Sequence, residues 1–309
     1  MAKVLVLGAS GYIGTKCVGR LLEEGFSVVA AARNFAKLSA TPWAGHQKVK
    51  LLQVDVRSRD NLQKACAGCT AVYYFVHSMD AQSKDFAKTD RMAAENMKKA
   101  AYETGINRII YLGGLGEAKS HLSRHLRSRM EVSEILHSGH VPVTTLRAAM
   151  IIGRGSISFE IMRYIVEYLP MIISSRWLET ESQPIAIDNV LNYLLGVLRV
   201  HSAAWQIYDI GGPEIISYRQ LMDMYAQEIG INKKIEVPVP GLLIKSSSYW
   251  IKRITPYPES IVRPLVEGLR SRLVCQDSRI KQLVPQDLLD CRQAIRLAIK
   301  NNASQHVFQ

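Results

Sequence analysis

Nowhere in its 309 residues does the chain carry about 18 successive uncharged apolar residues, so no membrane-spanning helix is expected. It leaves no room for a leader either, since the first strand-like run already begins at Lys3. The expected location is the cytoplasm, a removed targeting peptide aside. Cysteine is sparse: Cys17, Cys66, Cys69, Cys275 and Cys291 are the five present. Cys66 and Cys69 have CxxC spacing, but no second pair or histidine cluster accompanies them. Two buried thiols are therefore expected, and no metal. Internal repeats and low-complexity segments are absent. The most telling gap is local: neither Asp nor Glu occurs between Glu24 and Asp55.

Positive charge is in excess, with 39 Lys and Arg against 27 Asp and Glu, a net +12. Its densest stretch, Lys119 to Arg129, contains His121, Arg124, His125 and Arg127. Leu122, Leu126 and Met130 recur through it every four residues, the pattern of an amphipathic helix with a basic face. No nucleic-acid fold signature accompanies it, so no nucleic-acid partner is expected; an anionic cofactor or substrate accounts for the charge.

The apolar run Lys3-Val4-Leu5-Val6-Leu7 leads into Gly8-Ala9-Ser10-Gly11-Tyr12-Ile13-Gly14, and a helical pattern follows to Glu24. Three glycines spaced three apart between strand and helix allow a tight turn and close backbone approach. The helix N-terminus then offers unpaired N–H groups and a positive dipole end to a pyrophosphate. Gly8, Ser10, Gly11, Tyr12, Ile13 and Gly14 are thus candidate cofactor contacts. NAD-preferring sites of this kind place a carboxylate about 20 residues beyond the glycines, at the end of the second strand. Here that strand, Ser27 to Ala32, runs into Arg33-Asn34, with Lys37 a turn later. Forked Arg donors suit a 2′-phosphate, so NADP(H) is expected over NAD(H). The alternative that Arg33 is a solvated strand-end residue stays open.

Strand-like runs at about 3–7, 27–32, 49–54, 71–76, 107–112 and 142–147 alternate with helical patterns at about 12–24, 59–67, 84–104 and 119–138. In the third of these helices Phe86, Ala93, Met97 and Ala100 share a face. Alternating elements with nearly continuous apolar strands predict an α/β chain with a doubly wound parallel sheet, the Rossmann fold. We expect this domain over residues 1–152. Beyond 153 the regularity breaks into a helix near 158–169, a helix opening at Asp188, a strand Gln206 to Ile210 and a helix over Ser217 to Glu228. Residues 153–309 are expected to form a smaller, mostly helical substrate-side lobe intertwined with the sheet's last strands.

Taken together these residues resemble the extended and atypical branches of the short-chain dehydrogenase/reductase superfamily. Gly8, Gly11 and Gly14 have those branches' spacing, and Asp55-Val56 matches the pair that contacts adenine. Asn107 to Leu112 is similar to the fifth strand, and Leu146-Arg147 to the sixth. Gly211-Gly212-Pro213-Glu214, Ser217-Tyr218, Ser246 to Trp250 and Thr255-Pro256 resemble the YbjT-like or NmrA-like subgroup.

Active reductases of the superfamily use a Ser at the end of strand five and a Tyr-x-x-x-Lys on the next helix. Here strand five runs into Gly113-Gly114, and the Tyr-x-x-x-Lys window falls on His125-Leu126-Arg127-Ser128-Arg129. His125 and Arg129 lie four apart on one helix face. His125 is a candidate general acid and Arg129 a candidate ligand of cofactor ribose or an anionic substrate. Against this, Arg129 disfavours a neighbouring imidazolium, and both side chains could instead hold cofactor or lie on a solvated face.

By the same resemblance Val76, His77 and Gly113 line the cofactor cleft and Met150 offers backbone groups to the carboxamide. His77 is a candidate contact of substrate or ribose, or alternatively caps the following helix turn, and Tyr111, lying within a strand, is expected to pack. Tyr164, Tyr168, Trp177, Tyr249 and Trp250 are candidates for an apolar pocket wall or for core. The resemblance implies an NADP(H)-dependent oxidoreductase acting on a small organic substrate. Its alternative is a non-catalytic NADP(H) sensor or accessory subunit, since NmrA-like regulators and an accessory subunit of respiratory complex I share the branch. Leu243 to Ile254 is a candidate for peripheral membrane or protein docking, against the alternative of a packed helix.

Overall fold

The computed structural model describes residues 2–77, 86–116, 123–169, 171–174, 176–231, 235–238 and 255–303. Ser78, Met79, Lys119, His121, Leu122 and the segment Leu243 to Ile254, with Tyr249 and Trp250, lie outside the described residues.

In chain order the first half runs β1 (Lys3–Leu7), α1 (Tyr12–Glu23), β2 (Ser27–Ala32), α2 (Phe35–Ser39), β3 (Val49–Gln53), α3 (Arg59–Cys66), β4 (Ala71–Tyr74), α4 (Phe86–Glu103), β5 (Arg108–Gly114), α5 (Arg124–His137) and β6 (Val143–Ala148). The second half has β7 (Ile151–Ile152), α6 (Ile157–Tyr168), β8 (Met171–Ser174), β9 (Glu181–Ser182), β10 (Ile185–Ala186), α7 (Ile187–Arg199), β11 (Gln206–Ile210), β12 (Ile216–Ser217), α8 (Tyr218–Glu228) and β13 (Ile235–Pro238). It closes with α9 (Glu259–Gly268), α10 (Arg279–Leu283) and α11 (Cys291–Ala303).

β1 explains the architecture. Val4 and Val6 pack into one apolar cluster, Leu5 and Leu7 into another, so the strand needs a layer on each face. Seven strands pair in the order β11-β6-β5-β4-β1-β2-β3, all parallel. One face is covered by α1 and α7, the other by α3, α4 and α5. Strand order reverses at β1, between β2 and β4, and opens the crevice at the carboxyl ends of the strands.

A separate apolar cluster unites Met150, α6, Trp177, α8, α9 and α11 beside that end of the sheet. The second half is not wholly apart, because β11 extends the main sheet and α7 covers it. The helices at 35–39 and the two-residue strands were not foreseen in the sequence. Cys66 and Cys69 are free and buried, and burial pushes the Cys66 thiol up to about 12. No helix among the described residues is long and apolar enough to cross a membrane.

Candidate functional site

The loop after β1 is built so that only backbone fits. Gly8 has φ +82°, and a Cβ there would lie 2.9 Å from the Phe75 carbonyl oxygen. A Cβ on Gly14 would fall 2.2 Å from the Gly8 carbonyl oxygen. Gly11 N–H closes the turn on that same oxygen at 2.9 Å. Gly11 also starts α1 without a side-chain cap, and the first turn holds no carboxylate to offset the helix dipole. These residues fit a dinucleotide pyrophosphate.

Beside the loop a groove of about 440 Å³ runs past Gly8, Ser10, Gly11, Arg33, Lys37, Asp55, Val56 and Val76 to His77. Asn34 caps α2 by accepting from Lys37 N–H at 2.9 Å, which sets the chain direction after Arg33. Asp55 accepts both Nε and Nη2 of Arg57, and this guanidinium holds its carboxyl below the usual carboxylate range. Asn96 on α4 steadies the same loop, donating to the carbonyls of Val56 and Arg57. Arg57 makes a third cation on this groove and was missed in the sequence. Its place two residues beyond Asp55 was the available signal.

At the far end of the groove three side chains form a line. His77 Nδ1 donates to Asp90 Oδ2 at 2.8 Å, and Ser128 Oγ donates to the same oxygen at 3.0 Å. His77 Nε2 lies 2.7 Å from His125 Nδ1. Asp90 and Ser128 are almost fully buried. Burial lowers the His77 pKa; burial, then His77 and Arg129, hold His125 well below the ordinary imidazole range. Both imidazoles are thus favoured neutral. His125, Ser128 and Arg129, at i, i+3 and i+4 on α5, turn one face to α4 and β5.

Arg129 donates through Nη2 to the Leu112 carbonyl, and its guanidinium lies 5.9 Å from the Tyr111 ring centre. The Tyr111 hydroxyl donates to the Arg129 carbonyl, so Tyr111 braces α5 from inside the sheet. Gly114 allows this close approach: a Cβ there would lie 2.7 Å from Leu126 Cδ2.

His77, His125 and Arg129 also line a second cavity, of about 310 Å³, under the C-terminal lobe. Its walls are chiefly apolar: Gly113, Leu126, Met150, Ile161, Met162, Ile165, Trp177, Met222 and Leu269 among them. Tyr12 and Ile13 of the glycine loop reach it as well. The Tyr12 hydroxyl is buried with no hydrogen-bond partner among the described residues, and burial raises its pKa. Met150 spends its carbonyl on Ile185 N–H. Of the aromatic candidates Trp177 reaches the cavity; Tyr164 and Tyr168 stack on each other at 5.4 Å, with Tyr168 exposed. Sequence reasoning missed Asp90 and Ser128.

Residues 8–154 match the family model described as NAD(P)H-binding. The 40 kDa subunit of mitochondrial NADH-ubiquinone oxidoreductase from Neurospora crassa is 22% identical over 254 residues, 78% of this chain and 66% of that subunit. This chain thus matches slightly less than two thirds of the subunit's length. Triphenylmethane reductase from Citrobacter sp., solved with NADP(H), superposes with a TM-score of 0.75 at 18% identity, covering 96% of this chain and 99% of that one. The NADPH-dependent quinone oxidoreductase QOR2 of Escherichia coli, solved with NADPH, gives 0.73 at 17% identity over 99% and 100%. Residues 8–154 thus carry the NAD(P)H-binding pattern, and the whole chain shares the fold of these NADP(H)-bound reductases.

Proposed function

We propose that the protein is an NADP(H)-dependent oxidoreductase for a neutral, largely apolar substrate bearing a carbonyl or the corresponding alcohol. One observation carries this reading: His77 borders both the dinucleotide groove and the apolar cavity, and His125 bonded to it faces the cavity. Gly8, Ser10, Gly11 and Gly14 would hold the pyrophosphate, Asp55 and Val56 the adenine side, Arg33 and Lys37 the 2′-phosphate. A bound nicotinamide supplies the hydride chemistry, and the chain supplies orientation, water exclusion and a proton. The lobe after residue 153 closes over the substrate. Among the described residues the cavity wall offers no carboxylate and only Arg129 as a fixed cation, and Arg129 is engaged by the Leu112 carbonyl; hence the neutral substrate.

The rival reading is a non-catalytic NADP(H)-binding accessory subunit. The absent Ser, Tyr and Lys, and the likeness to the Neurospora subunit, speak for it. The two separate on one experiment. NADPH oxidation is followed with a panel of quinones, enones and aromatic aldehydes, using the wild type and His125→Ala. Turnover that falls at least a hundredfold in the variant while NADPH affinity holds supports the enzyme. No turnover on any member, with NADPH bound, supports the accessory role.

A further inference from the structure

We propose that Asp90, His77 and His125 form a two-imidazole proton relay that does the work of the missing Tyr and Lys; this rests on the oxidoreductase reading above. The geometry fixes the protons. A carboxylate only accepts, so the 2.8 Å contact places a proton on His77 Nδ1, and neutral His77 must then accept at Nε2. His125 therefore donates from Nδ1 across 2.7 Å, which leaves its Nε2 with a bare lone pair. That atom has no hydrogen bond among the described residues, and the side chain lines the apolar cavity.

His125 alone is a poor place for charge: it is buried and has Arg129 one turn along the same helix. His77 has the Asp90 carboxylate. When a substrate hydroxyl gives its proton to His125 Nε2, the O–H bond breaks and an N–H bond forms. The Nδ1–H of His125 breaks in turn and a new N–H forms on His77 Nε2. One proton has entered, no electron has moved within the chain, and the positive charge rests on His77 beside Asp90. Run backwards, the charged state presents His125 Nε2–H as donor to a carbonyl oxygen. His125 is the catalytic residue; His77 and Asp90 act through it, and Ser128 positions Asp90. Among the described residues the charged groups that act on the pair are Asp90 from α4 and Arg129 from α5; Arg124 lies over the Phe86 ring at 5.8 Å, and the Tyr111 hydroxyl of β5 is bonded to the Arg129 carbonyl.

The relay has a signature that a static hydrogen-bonded pair lacks: one protonation charges His77 and switches His125 from the Nδ1–H to the Nε2–H tautomer. ¹⁵N-histidine NMR of the full chain, without nucleotide, reads it directly. On acidification the two imidazoles should titrate at one shared midpoint, His125 Nδ1 losing its proton as Nε2 gains one. Asp90→Asn should weaken that uptake at least tenfold, a downward shift of about one pH unit or more. Ser128→Ala, a milder change, should lower it by less. Separate midpoints, or a His125 that charges without switching tautomer, overturn the relay. Because no nucleotide is present, the result is independent of whether the chain binds NADP(H) or turns anything over.

Discussion

In the proposed site Arg33 sets the cofactor choice. It lines the groove opposite the glycine loop, where an NAD-type site would place a carboxylate. A charge-assisted hydrogen bond contributes about 1.5–3 kcal/mol. Arg33→Ser should therefore weaken NADPH binding by roughly tenfold or more and leave NADH within about twofold, as read by nicotinamide fluorescence. The histidines set a second expectation. His77, His125 and His137 are all held below the ordinary imidazole value, chiefly by burial. Below about pH 6.5 the unfolded chain then binds more protons than the native one, so stability rises with pH there and is lost on acidification. Tm should fall between about pH 7 and pH 5, and His125→Phe should flatten that fall. A Tm that climbs on acidification contradicts neutral, buried imidazoles. The glycines and Arg33 were legible as residues because a local strand–turn–helix unit gives them meaning. Asp90 was legible in principle: it lies on the stripe of Phe86, Ala93, Met97 and Ala100, and an acid on a buried face needs a partner. Nothing local identified that partner, since His77 and Ser128 arrive from other elements.

Among the elements, α1 and its loop carry the sharpest contrast. Gly14→Ala must push α1 away from the Gly8 carbonyl, at a cost of about 1–3 kcal/mol and most of the nucleotide affinity. Gly19→Ala, seven residues beyond the helix start at Tyr12, meets open space and should stabilise the fold by about 0.5–1 kcal/mol with binding intact. Chemical unfolding and NADPH titration of the two variants check both halves. The main strands were readable because burial on both faces leaves uninterrupted apolar runs. Main-sheet strands and the long helices up to α8 fall within a few residues of expectation. The pairs β7–β10 and β9–β12 were not readable, since two residues carry no periodicity and their pairing depends on tertiary approach. The five-residue α2 escaped for the same reason, although Asn34 is a good cap.

At the scale of the molecule, the second half is anchored to the first by Asp209. This fully buried carboxylate on β11 takes Arg147 of β6 at 2.7 Å and the backbone N–H of Gln276 and Asp277. Asp209→Ala leaves those donors and one cation unmatched and should cost about 3–5 kcal/mol in an unfolding titration. The sequence suggested a lobe intertwined with the last strands, but neither the ion pair nor the cavity walls could be read from it. Those walls join residues from both halves of the chain.

We propose that this crevice takes NADP(H) in particular. Titration of the purified full chain with NADPH and with NADH, followed by nicotinamide fluorescence, tests it directly. NADPH should bind at micromolar level or tighter and NADH at least tenfold more weakly. Equal affinities, a preference for NADH, or no binding of either nucleotide would contradict it.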